Sequence, residues 1–408
     1  MSIRLSFISS EESVVSEEEL RKEAVRRRRS GESPEAIAAA LGRTSRWVRK
    51  WVARSDEEPG AQTWAEARSR APHTSPNRTP PELVDLIVDA RARLQANPRA
   101  QYGALAVAWE LRRMGVSPIP NRWTIERTIA RAGLARPRAR AAGYVSKGVP
   151  YPALEGVEPG AVHQVDLIGP RHLHGGVAFH ALNLLDVGSH EAASEILPAP
   201  RPDLLAQSLA RAWATVGMPG YVQLDNHSNF RGGIPPAYAN FGPVVATCLD
   251  LGITPRFIPL REPWRNGVVE HFNDVWDKSF FRTEVFVGLD HLKTENAAFI
   301  AFHNAEHRYS AHGGASPAEI WRGRARDRLS RRYRAPDRLP ARGRIEAVRF
   351  VRSNGVVDLW GRRITVAEDH RHQYVTAIIR VRARQVDVVT MEGELAYQGP
   401  YPLQRILR

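Results

Sequence analysis

The hydrophobic pattern of the chain changes near residue 160, and this change constrains the fold more than any other feature. Upstream, apolar residues recur at helical spacing, whereas downstream they form short runs separated by turn residues. The downstream runs predict three strands, a helix, a strand, a helix, a strand and two helices. They are, in order, AVHQVDLIG, VAFHALNLLDV, HEAASEIL, PDLLAQSLARAWATVG, YVQLDN, PVVATCLDLG, ITPRFIP, NGVVEHFNDVWDKSF and LDHLKTENAAFIAFHNAEH. This order is typical of a mixed α/β layer architecture.

An all-α helix-turn-helix unit is predicted over residues 20–58. Ser33 can cap a helix that has Pro34 at its first position, and Gly42 can end that helix. The next helix places basic residues on its outer positions, namely Arg46, Arg49, Lys50 and Arg54. Three helices of which the last is cationic predict binding of that helix in the major groove of DNA. A small bundle with a solvated charged face is the alternative.

A second unit of the same kind is predicted over residues 80–137. The segments PELVDLIVDARARLQANP, GALAVAWELRRMG and NRWTIERTIARAGL have helical spacing. Asn121 can cap the last helix, which carries Arg122, Arg127 and Arg131. Because two tandem units are less expected by chance than one, we interpret both as DNA-binding units.

The C-terminal part is rich in arginine. Twelve arginines and three acids lie between Trp321 and Arg352. The alternating strands that follow, with the tight-turn pair Asn354-Gly355, predict a small β-barrel of about five strands. We expect the arginine-rich stretch, including Arg331 and Arg332, to contact phosphate groups, although it could also be a solvated surface.

The charge of the whole chain agrees with an anionic partner. The sequence has 58 Lys and Arg residues against 44 Asp and Glu residues, which gives a formal net charge of +14. In a protein with an ordinary apolar content, such a surplus indicates nucleic acid as the first candidate partner. A basic enzyme without a polyanionic partner is the alternative that the composition leaves open.

Cysteine content and the N-terminus indicate the compartment. Cys248 is the only cysteine, so an internal disulfide and a Cys-rich zinc site are excluded. Its apolar neighbours predict a buried, inert thiol. The N-terminus lacks the apolar core of a signal peptide, and no apolar run reaches the roughly 18 residues of a membrane-spanning helix. We therefore expect a cytoplasmic protein.

Three carboxylates stand out by their context. Asp166 lies inside an apolar strand, Asp225 ends a short strand, and Glu270 lies one turn into a helix. Buried acids on separate elements can stay ionised if they converge on a divalent cation, and oxygen-only ligands suit Mg²⁺ or Mn²⁺. A capping or salt-bridged carboxylate is the alternative for any one of them. Three in this order on strand, strand and helix favour a metal site.

The segments around these carboxylates carry recognisable motifs. They are HQVDLIGP, LDNHSNF and PWRNGVVEHFN, followed downstream by HNAEHRYSAHGGASPAEIW. The second and third are similar to the patterns Asp-Asn-Gly-x-x-Phe and Pro-x-x-Asn-Gly-x-x-Glu-x-x-Asn. Through them, residues 161–322 resemble the integrase catalytic core of insertion-sequence transposases in the retroviral-integrase (DDE) superfamily.

The resemblance implies an RNase H-like core in which Asp166, Asp225 and Glu270 form the catalytic triad. It implies two Mg²⁺ or Mn²⁺ ions, with Asp166 on both and the other two carboxylates on one each. The implied activity is that of a transposase, which cleaves DNA to expose a 3′ end and then transfers that end to a target. Double-stranded DNA from transposon ends and target is the implied partner. The acting form would be a homo-oligomer on DNA, associated with the nucleoid.

Four further side chains lie close to the triad in sequence. Asn226, Asn266 and Asn273 are candidates to support the carboxylates or contact DNA, although Asn266 could simply cap a helix. We interpret His271 as a surface neighbour of the triad rather than a base.

The chain departs from the family in three ways. Forty-four residues separate Asp225 from Glu270, and the surplus over residues 231–242, RGGIPPAYANFG, is typical of an inserted loop. His227 replaces the usual glycine, where it could restrict the backbone beside Asp225. The retroviral zinc-binding N-terminal domain is excluded, because a single cysteine cannot supply its ligands.

These patterns divide the chain into eight predicted segments. They are a mobile acidic tail (1–19), a helix-turn-helix (20–58), a linker (59–79), a second helix-turn-helix (80–137), a linker (138–159), the RNase H-like core (160–326), an arginine-rich linker (327–342) and the small β-barrel (343–408).

Two other functions remain open from the sequence. One is a non-catalytic DNA-binding regulator derived from a transposase, which the intact triad disfavours. The other is an RNase H-like nuclease that cuts without joining, which the tandem helix-turn-helix units disfavour. A serine or tyrosine recombinase is disfavoured, because no nucleophile constellation occurs.

Overall fold

The computed structural model describes residues 16–57, 60, 62–69, 78–135, 148–154, 157–232, 240–404 and 407. The chain divides into two compact units, Met1–Arg78 and Thr79–Arg408. Residues 1–15 of the predicted tail, residues 233–239 of the predicted inserted loop and parts of the predicted linkers 59–79 and 138–159 lie outside the described residues.

The smaller unit contains three helices: α1 (Glu17–Arg29), α2 (Pro34–Leu41) and α3 (Ser45–Glu57). They enclose a core of Ala24, Ile37, Ala38 and Val48. Ser16 and Glu19 form a capping box, so α1 begins within the acidic stretch that was predicted as a tail. The Oγ of Ser33 accepts the N–H of Ala36 at the start of α2, and Gly42 ends α2 in a left-handed conformation at φ 63°.

The larger unit begins with a second three-helix block. Its helices are α4 (Pro81–Ala96), α5 (Ala104–Arg113) and α6 (Arg122–Arg131). Their apolar faces meet at Ile87, Ala90, Ala104, Val107, Leu111, Ile125 and Ile129. Asn121 caps α6, because its Oδ1 accepts the N–H of Thr124 at 2.8 Å.

A mixed α/β layer follows, as the sequence predicts. Its strands are β1 (Val162–His172), β2 (Ala178–Asp186), β3 (Ala192–Leu197), β4 (Tyr221–Leu224) and β5 (Thr254–Phe257). Its helices are α7 (Pro202–Val216), α8 (Ser228–Arg231), α9 (Pro243–Asp250), α10 (Gly267–Trp276), α11 (Leu289–Glu306) and α12 (Pro317–Trp321). The strand order is β3-β2-β1-β4-β5, with β1 to β3 antiparallel and β4 and β5 parallel to β1.

Six more strands lie in the C-terminal part. They are β6 (Arg344–Phe350), β7 (Val356–Leu359), β8 (Arg362–Thr365), β9 (Tyr374–Arg380), β10 (Gln385–Val389) and β11 (Leu395–Pro400). β6 pairs with β5 in parallel, and β9, β10 and β11 continue from β6 in antiparallel pairing. A single nine-stranded sheet results, and β7 and β8 form a separate hairpin.

The separate small β-barrel predicted for the C-terminus is therefore not confirmed. The parallel pairing joins Arg256 to Glu346 and Phe257 to Ala347. At the first of these pairs, Arg256 Nη1 donates to Glu346 Oε2 at 2.6 Å, and both side chains are buried. A buried ion pair of this kind fixes strand register. The physical reason for the merger is that β5 would otherwise present an unpaired edge, which β6 covers.

Two apolar cores lie against the sheet. Along β2, alternate residues belong to different cores: Leu182 and Leu184 to the first, and Ala181 and Leu185 to the second. The first core includes residues of α7, α9 and the C-terminal strands, whereas the second includes aromatic residues of α10 and α11. The sheet thus carries α10, and with it Glu270, on one face.

The arginine-rich stretch after α12 packs onto the α/β layer. Arg326 donates to both carboxylate oxygens of Glu191, at 2.6 and 2.7 Å, and its guanidinium lies 4.2 Å from the ring centroid of Trp321. Leu329 donates its N–H to the Trp213 carbonyl at 3.2 Å. At least one arginine of this stretch, Arg326, therefore stabilises the fold through an internal ion pair.

Cys248 is buried in α9, and burial raises the pKa of its thiol to about 12. The prediction of a buried, inert thiol is confirmed, because only the thiolate is a good nucleophile. Within the part of the chain that the structure describes, every helix is too short or too polar to cross a membrane.

Candidate active site

Asp166 lies in the middle of the sheet, on β1 between β2 and β4. Its partner in the β1–β2 register is Asn183, whose side chain is fully buried. Asn183 Nδ2 donates to Asn273 Oδ1 at 2.9 Å, and Asn273 Nδ2 donates to Asp166 Oδ2 at 2.6 Å. A chain of two amides, one from β2 and one from α10, therefore holds one oxygen of this carboxylate.

Asp225 directly follows β4. Its Oδ1 accepts the N–H of His227 at 2.9 Å, which fixes the carboxylate against its own turn. His227 has an extended backbone with φ −61°, and its Nδ1 accepts the N–H of Asn229 at 3.3 Å at the start of α8. The concern that histidine in place of glycine restricts this turn is unfounded, because any residue can adopt that conformation.

Glu270 lies in the first turn of α10, and two strand residues hold the start of that helix. Gln164 of β1 accepts the N–H groups of Val268 and Val269 through its Oε1, at 3.0 and 3.1 Å. Gln223 of β4 donates to the Arg265 carbonyl at 2.8 Å. These bonds satisfy helix-terminal groups and place Glu270 beside the strands that carry the two aspartates.

The three asparagines predicted near the triad have different roles. Asn273 contacts Asp166, as described above. Asn266 occupies the N-cap position of α10, but its side chain makes no capping bond; its Nδ2 donates instead to the Val165 carbonyl at 2.9 Å. Asn226 Nδ2 donates to the Ile258 carbonyl at 2.7 Å, and its Oδ1 accepts bonds from the C-terminal part. His271 is exposed beside Glu270.

The electrostatics show that Asp166 interacts with both other acids. Burial and then the nearby charge of Asp225 raise the pKa of Asp166, against the hydrogen bond from Asn273. Burial and the charge of Asp166 raise the pKa of Glu270. Burial raises the pKa of Asp225, and the His227 backbone N–H and imidazole oppose that rise. No ion pair to Lys or Arg reaches these carboxylates among the residues that the structure describes.

The donor set fits a hard divalent cation in its chemistry. All three candidates are carboxylates, the hydrogen bonds described above come from neutral groups, and a cation would relieve their repulsion. Among the described residues, however, no group of three or more His, Cys, Asp or Glu side chains is gathered closely enough to hold a metal ion. The charges of Asp225 and Glu270 each interact with that of Asp166, but the described carboxylates are not gathered around one point.

Gln164, Gln223 and Asn183 are residues that sequence reasoning missed. All three are polar side chains within strands and are at least nine-tenths buried. A buried amide must find hydrogen-bond partners, so glutamine two positions before Asp166, and another two before Asp225, was the available signal.

In the N-terminal unit, α3 exposes three of its four predicted DNA-binding cations, Arg46, Arg49 and Lys50, and Lys50 Nζ lies 5.3 Å from the Trp51 ring centroid. Arg46 and Lys50 are exposed one turn apart. Arg49 pairs with Glu35 at 2.5 Å. Arg54 lies 5.0 Å from the ring centroid of Trp51 and donates to the Glu66 carbonyl, so it also packs within the unit.

In the larger unit, α6 exposes Arg122 and Arg127, of which Arg122 pairs with Glu126 at 2.7 Å. Trp123 between them is 74% exposed and was not singled out from the sequence. Arg331 and Arg332 are exposed, and Arg331 lines an open cavity of about 760 Å³ next to α7.

Comparisons with known proteins give one family match and several similar solved structures. Residues 16–62 match the family of homeodomain-like domains. The HTLV-2 integrase catalytic core domain in complex with magnesium aligns with 41% of this chain and 99% of its own, at 15% identity and a TM-score of 0.31. The simian T-cell lymphotropic virus intasome in complex with PP2A regulatory subunit B56 gamma aligns with 71% and 92%, at 13% identity and a TM-score of 0.37.

The BIV integrase catalytic core domain aligns with 40% of this chain and 93% of its own, at 16% identity and a TM-score of 0.30. No curated protein matches the sequence. The family match thus places a homeodomain-like domain over residues 16–62.

Proposed function

We propose that this protein is a DDE transposase that cleaves DNA to expose a 3′ end and transfers that end to target DNA. Asp166, Asp225 and Glu270 would be its metal-binding carboxylates. The observation that carries the proposal is Asp166, a half-buried carboxylate that interacts with the charges of the other two and forms no ion pair with Lys or Arg among the described residues. Acids in such an arrangement are characteristic of functional sites.

Two Mg²⁺ or Mn²⁺ ions bound there would stabilise the attacking and leaving oxygens of an in-line displacement at phosphorus. Neighbouring residues of this chain would hold the metal-binding carboxylates in position. Asn273 orients Asp166 through one oxygen, Gln164 and Gln223 fix the start of the helix that carries Glu270, and the His227 N–H orients Asp225. The fixed geometry of ligands is what such sites require of their surroundings.

The proposed partner is double-stranded DNA. Its binding would use Arg46 and Lys50 of the homeodomain-like domain and the exposed cations of α6. A cavity of about 250 Å³ lies between the β5–α10 loop and the β6–β7 turn, and the exposed arginines 261, 352 and 363 line it. Asn226, next to Asp225, contacts Arg349 of the same cavity lining, so phosphates in it would lie near the carboxylates.

We also propose a homo-oligomer as the acting form. One of the similar structures is an intasome. For this chain, the homo-oligomer is proposed because a transposase acts on two transposon ends, and we expect each end to need its own active site.

The triad is tested by Asp225→Asn and Glu270→Gln. With DNA taken from the flanks of the gene, each variant is expected to lose at least about 100-fold in Mg²⁺-dependent cleavage and joining, because a metal ligand is removed. Asp274→Asn is the matched control: it lies on α10 one turn beyond Glu270, exposed and paired with Lys278. Full activity of either triad variant would contradict the assignment.

One observation favours a second candidate, a DNA-binding regulator without catalysis: the described carboxylates are not gathered around one point. The same assay separates the two functions. A regulator would bind the flanking DNA but show no metal-dependent cleavage in the unmodified protein. Cleavage without joining would instead indicate a nuclease.

A further inference from the structure

The turn that carries Asp225 is bonded to the C-terminal part of the chain. Asn226 Oδ1 accepts two hydrogen bonds at 2.9 Å, one from Arg349 Nη2 and one from Trp360 Nε1. Asn226 Nδ2 donates to the Ile258 carbonyl, which also accepts from Arg349 Nη1 at 3.1 Å. The ends of β4, β5 and β6 therefore share one hydrogen-bond network beside Asp225.

Arg349 is an unusual member of this network, because it is buried with only 3% of its surface exposed. The partners of its guanidinium are neutral: the Asn226 amide and the carbonyls of Asp358, Ile258 and Val348. Its face lies 4.8 Å from the ring centroid of Trp360. Burying a cation is costly, and the nearby charge of the Asp358 carboxylate offsets only part of that cost, so the hydrogen bonds of the guanidinium are needed to compensate the rest.

Trp360 is unusual in its backbone. It occupies the first central position of the two-residue turn between β7 and β8, with φ 54°, and Gly361 follows with φ 96°. Such turns favour Asn, Asp or Gly, and a bulky residue in this left-handed region costs roughly 1–2 kcal/mol. The indole lies edge-on against Phe241 and Phe257, which directs its N–H to Asn226.

A strained residue and a buried cation thus converge on one amide next to a proposed metal ligand. We propose that Arg349 and Trp360 are positioning residues for Asp225, which they hold through Asn226. The C-terminal hairpin would then complete the metal-binding edge of the sheet and not only contribute to DNA binding. This inference rests on the proposed function for the role of Asp225.

The geometry explains why each residue type is needed. The planar guanidinium donates to Asn226, Ile258 and Asp358 at once, which a lysine ammonium on a single atom cannot reproduce. Phenylalanine at position 360 would keep the ring packing but lose the donor. Either change would let the Asn226 amide rotate and release the His227 N–H that Asp225 accepts.

The test uses the full chain with Trp360→Phe and Arg349→Lys. Trp321→Phe is the matched control for the first, because it also removes an indole N–H bond, there to Ser189 Oγ at 2.9 Å. Arg362→Met is the control for the second, because Arg362 also stacks on an aromatic ring and bonds a carbonyl. Thermal unfolding of all four variants checks that they fold.

Two readouts distinguish positioning from a general structural role. The first is amide hydrogen exchange of residues 225–231 in metal-free protein, which we expect to rise at least fivefold in Trp360→Phe and Arg349→Lys. The second is binding of Mn²⁺ alone, followed by spin resonance of free Mn²⁺, which we expect to weaken about 10-fold. The controls should change neither readout. If Arg349→Lys fails to fold, Trp360→Phe decides.

Exchange and Mn²⁺ affinity that match the controls would overturn the proposal. So would unchanged exchange with weakened Mn²⁺ binding, because the residues would then act otherwise than through the turn. A third result would also overturn the proposal: exchange becomes faster in Trp360→Phe, but Mn²⁺ binding stays intact in that variant while Asp225→Asn abolishes it. If Asp225→Asn itself leaves Mn²⁺ binding intact, the proposed triad fails, while exchange still decides whether the turn is held.

Discussion

Neutral amides, not charges, hold the candidate carboxylates. Asn183 donates to Asn273, which donates to Asp166. Gln164 and Gln223 form hydrogen bonds at the start of the helix that carries Glu270. An arginine in the same place would compensate the acids and lower their pKa values. Amides orient a carboxylate without neutralising it, which leaves its charge available for a cation.

Histidine burial gives a pH dependence that can be measured at a single residue. His307 is 1% exposed and donates from Nε2 to the Arg99 carbonyl at 2.8 Å, and burial lowers its pKa to about 4. The unfolded chain therefore binds this proton more strongly. The contribution of His307 to the free energy of unfolding should be complete above pH of about 6.5. It should fall by about 1.4 kcal/mol per pH unit as pH drops towards 4.

His307→Gln should retain a side-chain N–H donor and remove that contribution, so its stability should depend less on pH than that of the unmodified protein. Denaturant unfolding at pH 7 and pH 5 measures the difference. The exposed His174→Gln serves as control and should keep the original dependence. Equal dependence in the His307 variant and the unmodified protein would contradict the interpretation.

At the scale of elements, α3 shows which features of a helix its sequence pattern predicts and which it does not. The inward side of α3 has Val48 and Trp51 buried, as apolar spacing predicts. The four predicted cations, however, differ in their contacts. Arg46 and Lys50 form an exposed pair without a carboxylate partner among the described residues, although Lys50 Nζ also lies 5.3 Å from the Trp51 ring centroid. Arg49 pairs with Glu35, and Arg54 packs on Trp51 and donates to a carbonyl. A helical pattern gives the side of the helix on which a cation lies, but not the partner that it has.

The exposed pair should carry phosphate binding by α3. We expect Arg46→Ala with Lys50→Ala to weaken DNA binding and to reduce the slope of log affinity against log salt by about 2, since each phosphate contact contributes roughly 0.9. Fluorescence anisotropy at several salt concentrations measures this slope. Arg26→Ala, on α1 and paired with Glu23, is the control and should leave it unchanged. An unchanged slope in the double variant would exclude phosphate contact by this pair.

At the scale of the whole molecule, the C-terminal strands are part of the sheet that carries Asp166 and Asp225. Ile345, Val375 and Ile379 lie in the same apolar core as Leu224 and Phe257. The parallel β5–β6 pairing and its buried ion pair close the edge next to the β4 turn.

A chain that ends after residue 342 should therefore not fold stably. Each fully buried aliphatic side chain contributes about 1.5–3 kcal/mol, and more than six from the C-terminal strands lie in this core. Their loss, about 9–18 kcal/mol for six of them, is as large as the roughly 5–15 kcal/mol by which domains are stable. Circular dichroism and thermal unfolding of the truncated and full chains measure this. A truncated chain that unfolds cooperatively near the temperature of the full chain would show that the C-terminal part is separable.

Much of the site was predictable from local patterns. Ser33 and Asn121 predicted helix starts because a cap acts on the next three residues, and Asp166 and Asp225 could be placed on strands because alternation is local. The partners of these residues were not predictable. Arg349 lies 123 residues from Asn226, and its sequence context is that of any basic strand.

The sequence by itself determined the order of helices and strands, the carboxylates within a strand, directly after a strand and in the first turn of a helix, and the surplus of positive charge. Only the tertiary structure decided which strand edges pair, so the expected barrel became an extension of the sheet. It also decided which arginines face solvent and which, like Arg326 and Arg349, serve the interior. The physical reason is that periodicity and capping act over a few residues, whereas edge pairing and burial of a charge depend on surfaces that exist only after folding.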